Sequence, residues 1–222
     1  MHDSPVGVVE SVLRGFSSEN WIGVADLFDE GSLSEFRRSI LWRYSTPRRK
    51  LDVEADKASD PVMRLREELR TISSIEELEL LPPRQLYAVW LESHSPRTQV
   101  NKLVESGQVS RTRAETVLPS IVSNWNYTVI GVVMDGDTVA HVLYRGDPSP
   151  TGLRQVEADL LRAGAPAAEL ETLRDIFGKA NPALVTCRRN SDGFWRLLAS
   201  HHPFGIGTGM IWIGDDDTQP TV

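Results

Sequence analysis

The sequence contains a single cysteine, only four lysines and no long apolar run. Because Cys187 has no second cysteine to pair with, an intrachain disulfide framework and a thiolate metal cluster are both excluded. The longest apolar stretch, Val129–Met134, is far shorter than the roughly 20 residues that cross a bilayer. The first residues lack the basic start and apolar segment of a signal peptide. We therefore expect a soluble, cytoplasmic protein that does not contact a membrane.

Positive charge is also scarce, with 24 Lys+Arg against 31 Asp+Glu and a formal net charge of −7. Nucleic acid is not an expected partner, because neutralising phosphates requires a positive face. The one basic cluster runs from Arg37 to Lys50.

The chain has 222 residues, of which 40% are hydrophobic. That is enough for one sizeable core, and we predict a single domain over residues 1–222.

The first part of the chain has the periodicity of helices. Apolar residues recur at three- and four-residue spacing over residues 8–16, directly after Ser4-Pro5, which predicts a helix with an N-cap and a first-turn proline. A second short helix is predicted over residues 21–28 with Gly31 as its C-cap, and helical spacing continues over residues 32–44. Further helices are predicted over residues 61–72, 75–81, 85–92, 100–104 and 113–118.

The periodicity changes near Trp125. β-branched residues from Tyr127 to Met134, the turn residues Asp135-Gly136-Asp137 and the segment 138–145 predict a hairpin. A second hairpin is predicted from residues 183–189 and 194–200, and a helical segment over 151–178 separates the two. Helices followed by antiparallel hairpins predict an α+β fold, with the helices packed on one face of a curved sheet.

Three segments carry a family resemblance. They are Val8–Phe28 with Asn20-Trp21 between two short helices, the hairpin Val132–Arg145, and the closing hairpin Ser191–Arg196. Together they resemble nuclear transport factor 2-like (NTF2-like, SnoaL-like) proteins. The resemblance implies an NTF2-like cone, in which a bent sheet wraps a long helix and leaves a cavity, and a homodimer formed through the sheet face. Relative to that family, helical insertions occupy about residues 45–120 and 146–181.

Residues on the second predicted strand are the main site candidates. By the alternation of side chains, Val139, His141, Leu143 and Arg145 share one face, while Ala140, Val142 and Tyr144 share the other. His141 is the candidate general base, because imidazole titrates near neutral pH; a cross-strand hydrogen bond is the structural alternative. The candidate pocket residues are Tyr87, Trp90, Trp125, His141, Tyr144 and Arg145.

Metal and phosphate sites are not expected. His201 and His202 are adjacent and would point to opposite faces of a strand, and no carboxylate cluster at ligand spacing accompanies them. The segment Gly205–Gly209 leads into a strand-like run, so no helix N-terminus is available to hold a phosphate. Cys187 is predicted to be a small core residue. No metal and no cofactor are therefore predicted.

Because no catalytic set is recognised, the leading hypothesis is a non-catalytic, homodimeric NTF2-like module. It would bind a small apolar or carboxylate-bearing ligand, or a protein. Two alternatives stay open. One is a pocket enzyme of isomerase, cyclase or dehydratase type, with His141 as base and Tyr144, Tyr87 or Trp125 shaping the pocket. The other is a docking protein that binds an acidic partner through the cluster from Arg37 to Lys50.

Overall fold

A computed structural model gives the fold of part of the chain. The residues it describes are 2–45, 69, 71–107, 111–112, 114–115, 125–148, 150–162, 164, 171 and 182–200. They form mixed helix and sheet, which confirms the predicted α+β class. Within these ranges no helix combines the length and the apolar character needed to span a membrane.

The described helices and strands follow one another largely as the periodicity predicts. The helices are α1 (Pro5–Ser17), α2 (Trp21–Ala25), α3 (Glu30–Ser45), α4 (Ile75–Leu80), α5 (Pro83–Ser93), α6 (Pro96–Glu105) and α7 (Pro150–Arg162). The strands are β1 (Trp125–Asp135), β2 (Val139–Pro148), β3 (Ala183–Arg189) and β4 (Trp195–Leu197). They form one four-stranded antiparallel sheet in the order β1-β2-β3-β4, with Cys187 of β3 opposite Leu197 of β4.

The chain divides into two compact units, of which the first comprises Met1–His94, Gly131–Leu143 and Leu184–Pro203. In this unit α1 packs against α2 and β4, α5 packs against α2 and α3, and α4 packs against α3. Its core contains apolar side chains that are almost fully buried, among them Val8, Val12, Val24, Leu33, Ile40, Leu78, Leu86, Val142 and Leu197.

The second unit comprises Ser95–Ile130, Tyr144–Ala183 and Phe204–Val222. Its described helices are α6 and α7. On α7 the buried carboxylate of Asp159 accepts hydrogen bonds from Gln155, at 2.9 Å, and from Arg162. These contacts lie one helical turn apart and stabilise α7 locally.

Capping side chains explain where the helices begin. The Ser4 hydroxyl accepts from the Gly7 N–H at 3.1 Å, Asn20 Oδ1 accepts from the Gly23 N–H at 3.1 Å, and the Ser74 hydroxyl accepts from the Glu77 N–H at 3.1 Å. Each supplies an acceptor to a backbone donor that the helix itself leaves unpaired. The helix start predicted at Ser4-Pro5 and the predicted start of a helix at residue 75 are thereby confirmed.

The structure differs from the predicted boundaries in several places. Gly31 is not a C-cap, since α2 ends at Ala25 and Gly31 lies in the first turn of α3. The reason is Asp29, whose carboxylate accepts from the Ser32 N–H and starts a new helix. Strand β4 is shorter than the predicted 194–200, whereas β1 and β2 are longer than predicted. Most of the predicted helices over 61–72 and 113–118, the His201-His202 pair and Gly205–Gly209 lie outside the described residues.

Candidate functional site

The side chains of β2 alternate between the two faces of the sheet as predicted. Ala140, Val142 and Tyr144 are buried, His141 is partly exposed, and Arg145 is exposed. His141 and Tyr144 therefore belong to opposite faces of the strand. The two side chains, which the enzyme hypothesis places in one pocket, therefore do not point to the same side of the sheet.

His141 takes part in a contact between neighbouring strands. Its Nδ1 lies 3.0 Å from Oγ1 of Thr186 on β3, in a partly buried environment. This is the cross-strand hydrogen bond considered as the structural alternative to a catalytic role. Thr186 was not singled out from the sequence, because pairing of residues so far apart in the chain depends on how β2 and β3 are aligned.

Tyr87 and Trp90, two of the pocket candidates, lie together in a buried aromatic cluster. The ring of Tyr87 meets those of Phe28 and Phe36 edge-on, at centroid distances of 4.6 and 4.8 Å, and stacks on Trp90 at 5.5 Å. Burial raises the pKa of the Tyr87 hydroxyl above its ordinary value, an effect that the backbone N–H of Ser200 partly offsets. Such ring pairs stabilise a core by more than their buried area alone.

A Ser-His pair at the end of α5 has the residue types of a nucleophile and a base. The Ser93 hydroxyl donates to the Trp90 carbonyl at 2.7 Å and lies 2.9 Å from His94 Nδ1. That nitrogen is also 2.8 Å from the Trp90 carbonyl, which can only accept, so Nδ1 carries the proton in this contact. Both side chains therefore donate hydrogen bonds to the Trp90 carbonyl near the end of the helix. In this arrangement His94 Nδ1 does not accept the Ser93 proton, so the pair is not an activated nucleophile.

A second polar cluster joins the start of α3 to β4. Asp29 Oδ2 accepts from the Ser32 N–H at 2.9 Å, and the Asp29 N–H donates to the Leu197 carbonyl at 2.7 Å. The Ser32 hydroxyl donates to the Asp29 carbonyl and accepts from the Ala199 N–H at 2.9 Å. Arg188 Nη1 lies 3.9 Å from Asp29 Oδ2. An Asp directly before a helix is an N-cap signal that sequence reasoning missed.

The basic cluster from Arg37 to Lys50 lies only in part within the described residues, because residues 46–50 fall outside them. Arg37 Nε donates to the Leu81 carbonyl at 2.9 Å, and its Nη2 donates to the Glu79 carbonyl. Arg37 thus holds the end of α4 against α3. Arg38 and Arg43 are exposed on α3.

The most unusual surface among the described residues is strand β1. It lies at one edge of the described sheet, and every residue from Ile130 to Thr138 is exposed. The side chains of Ile130, Val133 and Met134 are 50%, 67% and 49% exposed. From Asn126 to Met134 the strand contains no charged residue and no proline. The sequence predicted the hairpin but not its exposure on both faces.

The described residues offer no metal site. Within the part of the chain that the structure covers, no group of three or more His, Cys, Asp or Glu side chains is placed to hold a metal ion. Cys187 is fully buried on β3, as predicted for a core residue, and burial raises the pKa of its thiol to about 12. A thiol with so high a pKa is a poor nucleophile at neutral pH.

Comparisons with the known protein families, with curated proteins and with solved structures found no match. The similarity of the sequence to NTF2-like proteins therefore stays a prediction. Among the described residues, His141, Ser93, His94 and Asp29 make hydrogen bonds that stabilise the fold. The side chains of Ile130, Val132, Val133 and Met134 on β1 lie exposed to solvent.

Proposed function

We propose that the protein is a non-catalytic interaction module that binds an extended polypeptide along the edge of β1. The observation that carries this proposal is the exposure of Ile130, Val132, Val133 and Met134 on a strand at the edge of the described sheet. Natural proteins protect such edges with lysine, proline or bulges, and β1 has no charge or proline over residues 126–134. An unprotected edge is the surface used when a peptide adds a strand to a sheet.

The polar residues favour binding over catalysis. A general base needs an acceptor directed at the substrate proton. Nδ1 of His141 contacts Thr186 instead, and the carboxylate of Asp29 accepts from the backbone at the start of α3. The enzyme hypothesis therefore has less support than a binding role.

We also propose that the first unit has an NTF2-like cone with helical insertions. The support is the packing of α1 on α2 and on β4, together with hairpins that follow in the order the resemblance implies. The cone would enclose a cavity for a small apolar or carboxylate-bearing ligand. An experimental structure tests this proposal, which requires a bent sheet wrapped around a long helix; a flat sheet with a filled interior would overturn it.

Strand addition is tested with a peptide that copies residues 125–135, carries a fluorophore and has lysines added at both ends for solubility. Fluorescence anisotropy should show saturable binding to the folded protein. Val133→Lys should weaken that binding about tenfold or more, because it places an ammonium group in an apolar contact.

The matched control is Leu184→Lys. Leu184 is 62% exposed on β3, a strand with neighbours on both sides, so its substitution changes charge and apolarity equally but leaves the edge intact. We expect Leu184→Lys to bind the peptide like the wild type. Flat anisotropy would refute the proposal if the wild-type protein is folded by circular dichroism and is monomeric by light scattering at the concentrations used.

A further inference from the structure

We infer that the polypeptide bound along β1 is a second copy of this chain, paired antiparallel about a two-fold axis at Gly131. This inference rests on the proposed binding at β1 and names its partner. It differs from the sheet-face dimer that the sequence resemblance implies, because here the two sheets join edge to edge. Four described strands from each copy would give a continuous sheet of eight, within the usual range of sheet sizes.

Charge is the first argument for a second copy. A two-fold interface places the same surface against itself, so any charged residue near the axis meets its own equivalent. The chain carries a net charge of −7, so two copies repel one another wherever acidic residues would meet across the axis. Residues 126–134 are neutral, and the first acidic residue after them is Asp135. This neutral strand can approach its own copy without repulsion between like charges.

The side-chain pattern selects the position of the axis. With the axis at Gly131, Ile130 faces Val132 of the second copy and Val129 faces Val133 of the second copy. Asp135 then faces Tyr127 of the second copy rather than an acidic residue. Moving the axis one residue toward Asp135 would place that carboxylate against Val129, and moving it one residue the other way would place Met134 against Asn126. The Gly131 register therefore pairs Ile130 with Val132 and Val129 with Val133, and it places neither the Asp135 carboxylate opposite an aliphatic side chain nor Met134 opposite Asn126.

Gly131 itself is the second, independent argument. Gly131 does not have a positive φ. Among the described residues, its two chain neighbours apart, no atom lies within 4 Å of the position that a Cβ would occupy. Neither a turn nor internal packing therefore explains a glycine at this position. A glycine inside a strand commonly marks the close approach of another backbone, and the two-fold axis supplies one.

Disulfide trapping tests the register. In an antiparallel pair, residues directly opposite have Cα atoms about 4.5–5.5 Å apart, which is within disulfide range. Gly131→Cys should therefore form a covalent dimer on mild oxidation. In Val133→Cys the two cysteines would be offset by ~13 Å along the strands, so no dimer should form. The wild type should not cross-link either, because Cys187 is fully buried.

A second pair of variants keeps the test independent of how Gly131→Cys folds. Ile130→Cys and Val132→Cys should each remain largely uncross-linked alone, and should form a disulfide when the two proteins are mixed. Equal cross-linking of Val133→Cys and Gly131→Cys, or no cross-linking in the mixture, would overturn this register.

Light scattering then separates the inference from the proposed function. The wild type should have the mass of two chains, and Val133→Lys should have the mass of one. A wild type that stays monomeric at high concentration while still binding the β1 peptide would refute self-pairing and leave the edge-binding function standing. A wild type that is monomeric and does not bind the β1 peptide would refute both the self-pairing and the proposed function.

Discussion

Asp29 and Arg37 are charged side chains whose hydrogen bonds go to the backbone. Asp29 supplies an acceptor at the start of α3, and Arg37 donates to two carbonyls at the end of α4. Asp29 was not singled out from the sequence, and Arg37 was identified only as a member of a basic cluster. Local sequence reveals the residue type but not the partner, because the groups that Arg37 bonds lie more than 40 positions away in the chain.

At Asp29 we predict a loss of stability on substitution. Asp29→Ala should lower the free energy of unfolding by about 1–2 kcal/mol, because the Ser32 N–H loses its acceptor. Asp29→Asn should lower the free energy of unfolding clearly less, since an amide oxygen can still cap the helix. Urea denaturation measures both.

The contact of Asp29 with Arg188 is expected to contribute little, because the Arg188 side chain is half exposed and the two atoms are 3.9 Å apart. Arg188→Gln is the matched variant and should unfold close to the wild type. A loss for Arg188→Gln as large as that for Asp29→Ala would show that the ion pair, rather than the cap, stabilises this junction.

Single elements were the part of the fold that the sequence predicted best. The hairpin of β3 and β4 and the starts of α1 and α4 depend on turn residues, caps and periodicity that are all local in the chain. Gly136 and Gly193 adopt positive φ values of 66° and 84° in the two predicted turns, as a tight hairpin requires. The error at Gly31 arose because a glycine is compatible both with a helix end and with a first turn.

The start of α4 gives a prediction about pH. Glu77 accepts from the backbone N–H of Ser73 at 2.8 Å and from its hydroxyl at 2.7 Å, and these contacts lower the pKa of the carboxyl from its ordinary value of 4.5. Because the folded pKa lies below the unfolded one, this contribution to stability is present above about pH 4.5. It is lost as the pH falls through the lowered folded value.

An NMR titration of the Glu77 side-chain carboxyl should show this lowered pKa. Ser73→Ala should raise the pKa part of the way back, because the backbone donor remains. Ser191→Ala, an exposed serine in the turn between β3 and β4, should leave it unchanged. An unshifted Glu77 pKa in the wild type would contradict the contact.

For the whole molecule, sheet order and net charge act together. The order β1-β2-β3-β4 places the uncharged residues 126–134 at an edge of the described sheet, while the chain as a whole carries a net charge of −7. In the dimer that we infer, the two acidic chains repel at long range and the attraction comes from the contact of β1 with β1.

We accordingly predict that salt strengthens dimerisation. Raising the ionic strength from ~20 to ~150 mM shortens the Debye length and screens the repulsion between the two acidic chains, so the dimer dissociation constant should fall. Sedimentation velocity at a series of protein concentrations measures it. Salt that weakens the dimer would indicate an interface held by ion pairs, which is inconsistent with a neutral strand.

The sequence by itself determined the α+β class, the alternation on β2 and the burial of Cys187, since each depends on periodicity or on the chemistry of one residue. Only the tertiary structure decided that Tyr87 and Trp90 lie in the core, that His141 meets Thr186, and that β1 is exposed on both faces from Ile130 onward. The physical reason is that burial and pairing are properties of which elements lie side by side. A neutral run of β-branched residues fits the middle of a sheet as well as its edge. The absence of charge over residues 126–134 therefore indicates a binding surface only once the structure places β1 at an edge of the described sheet.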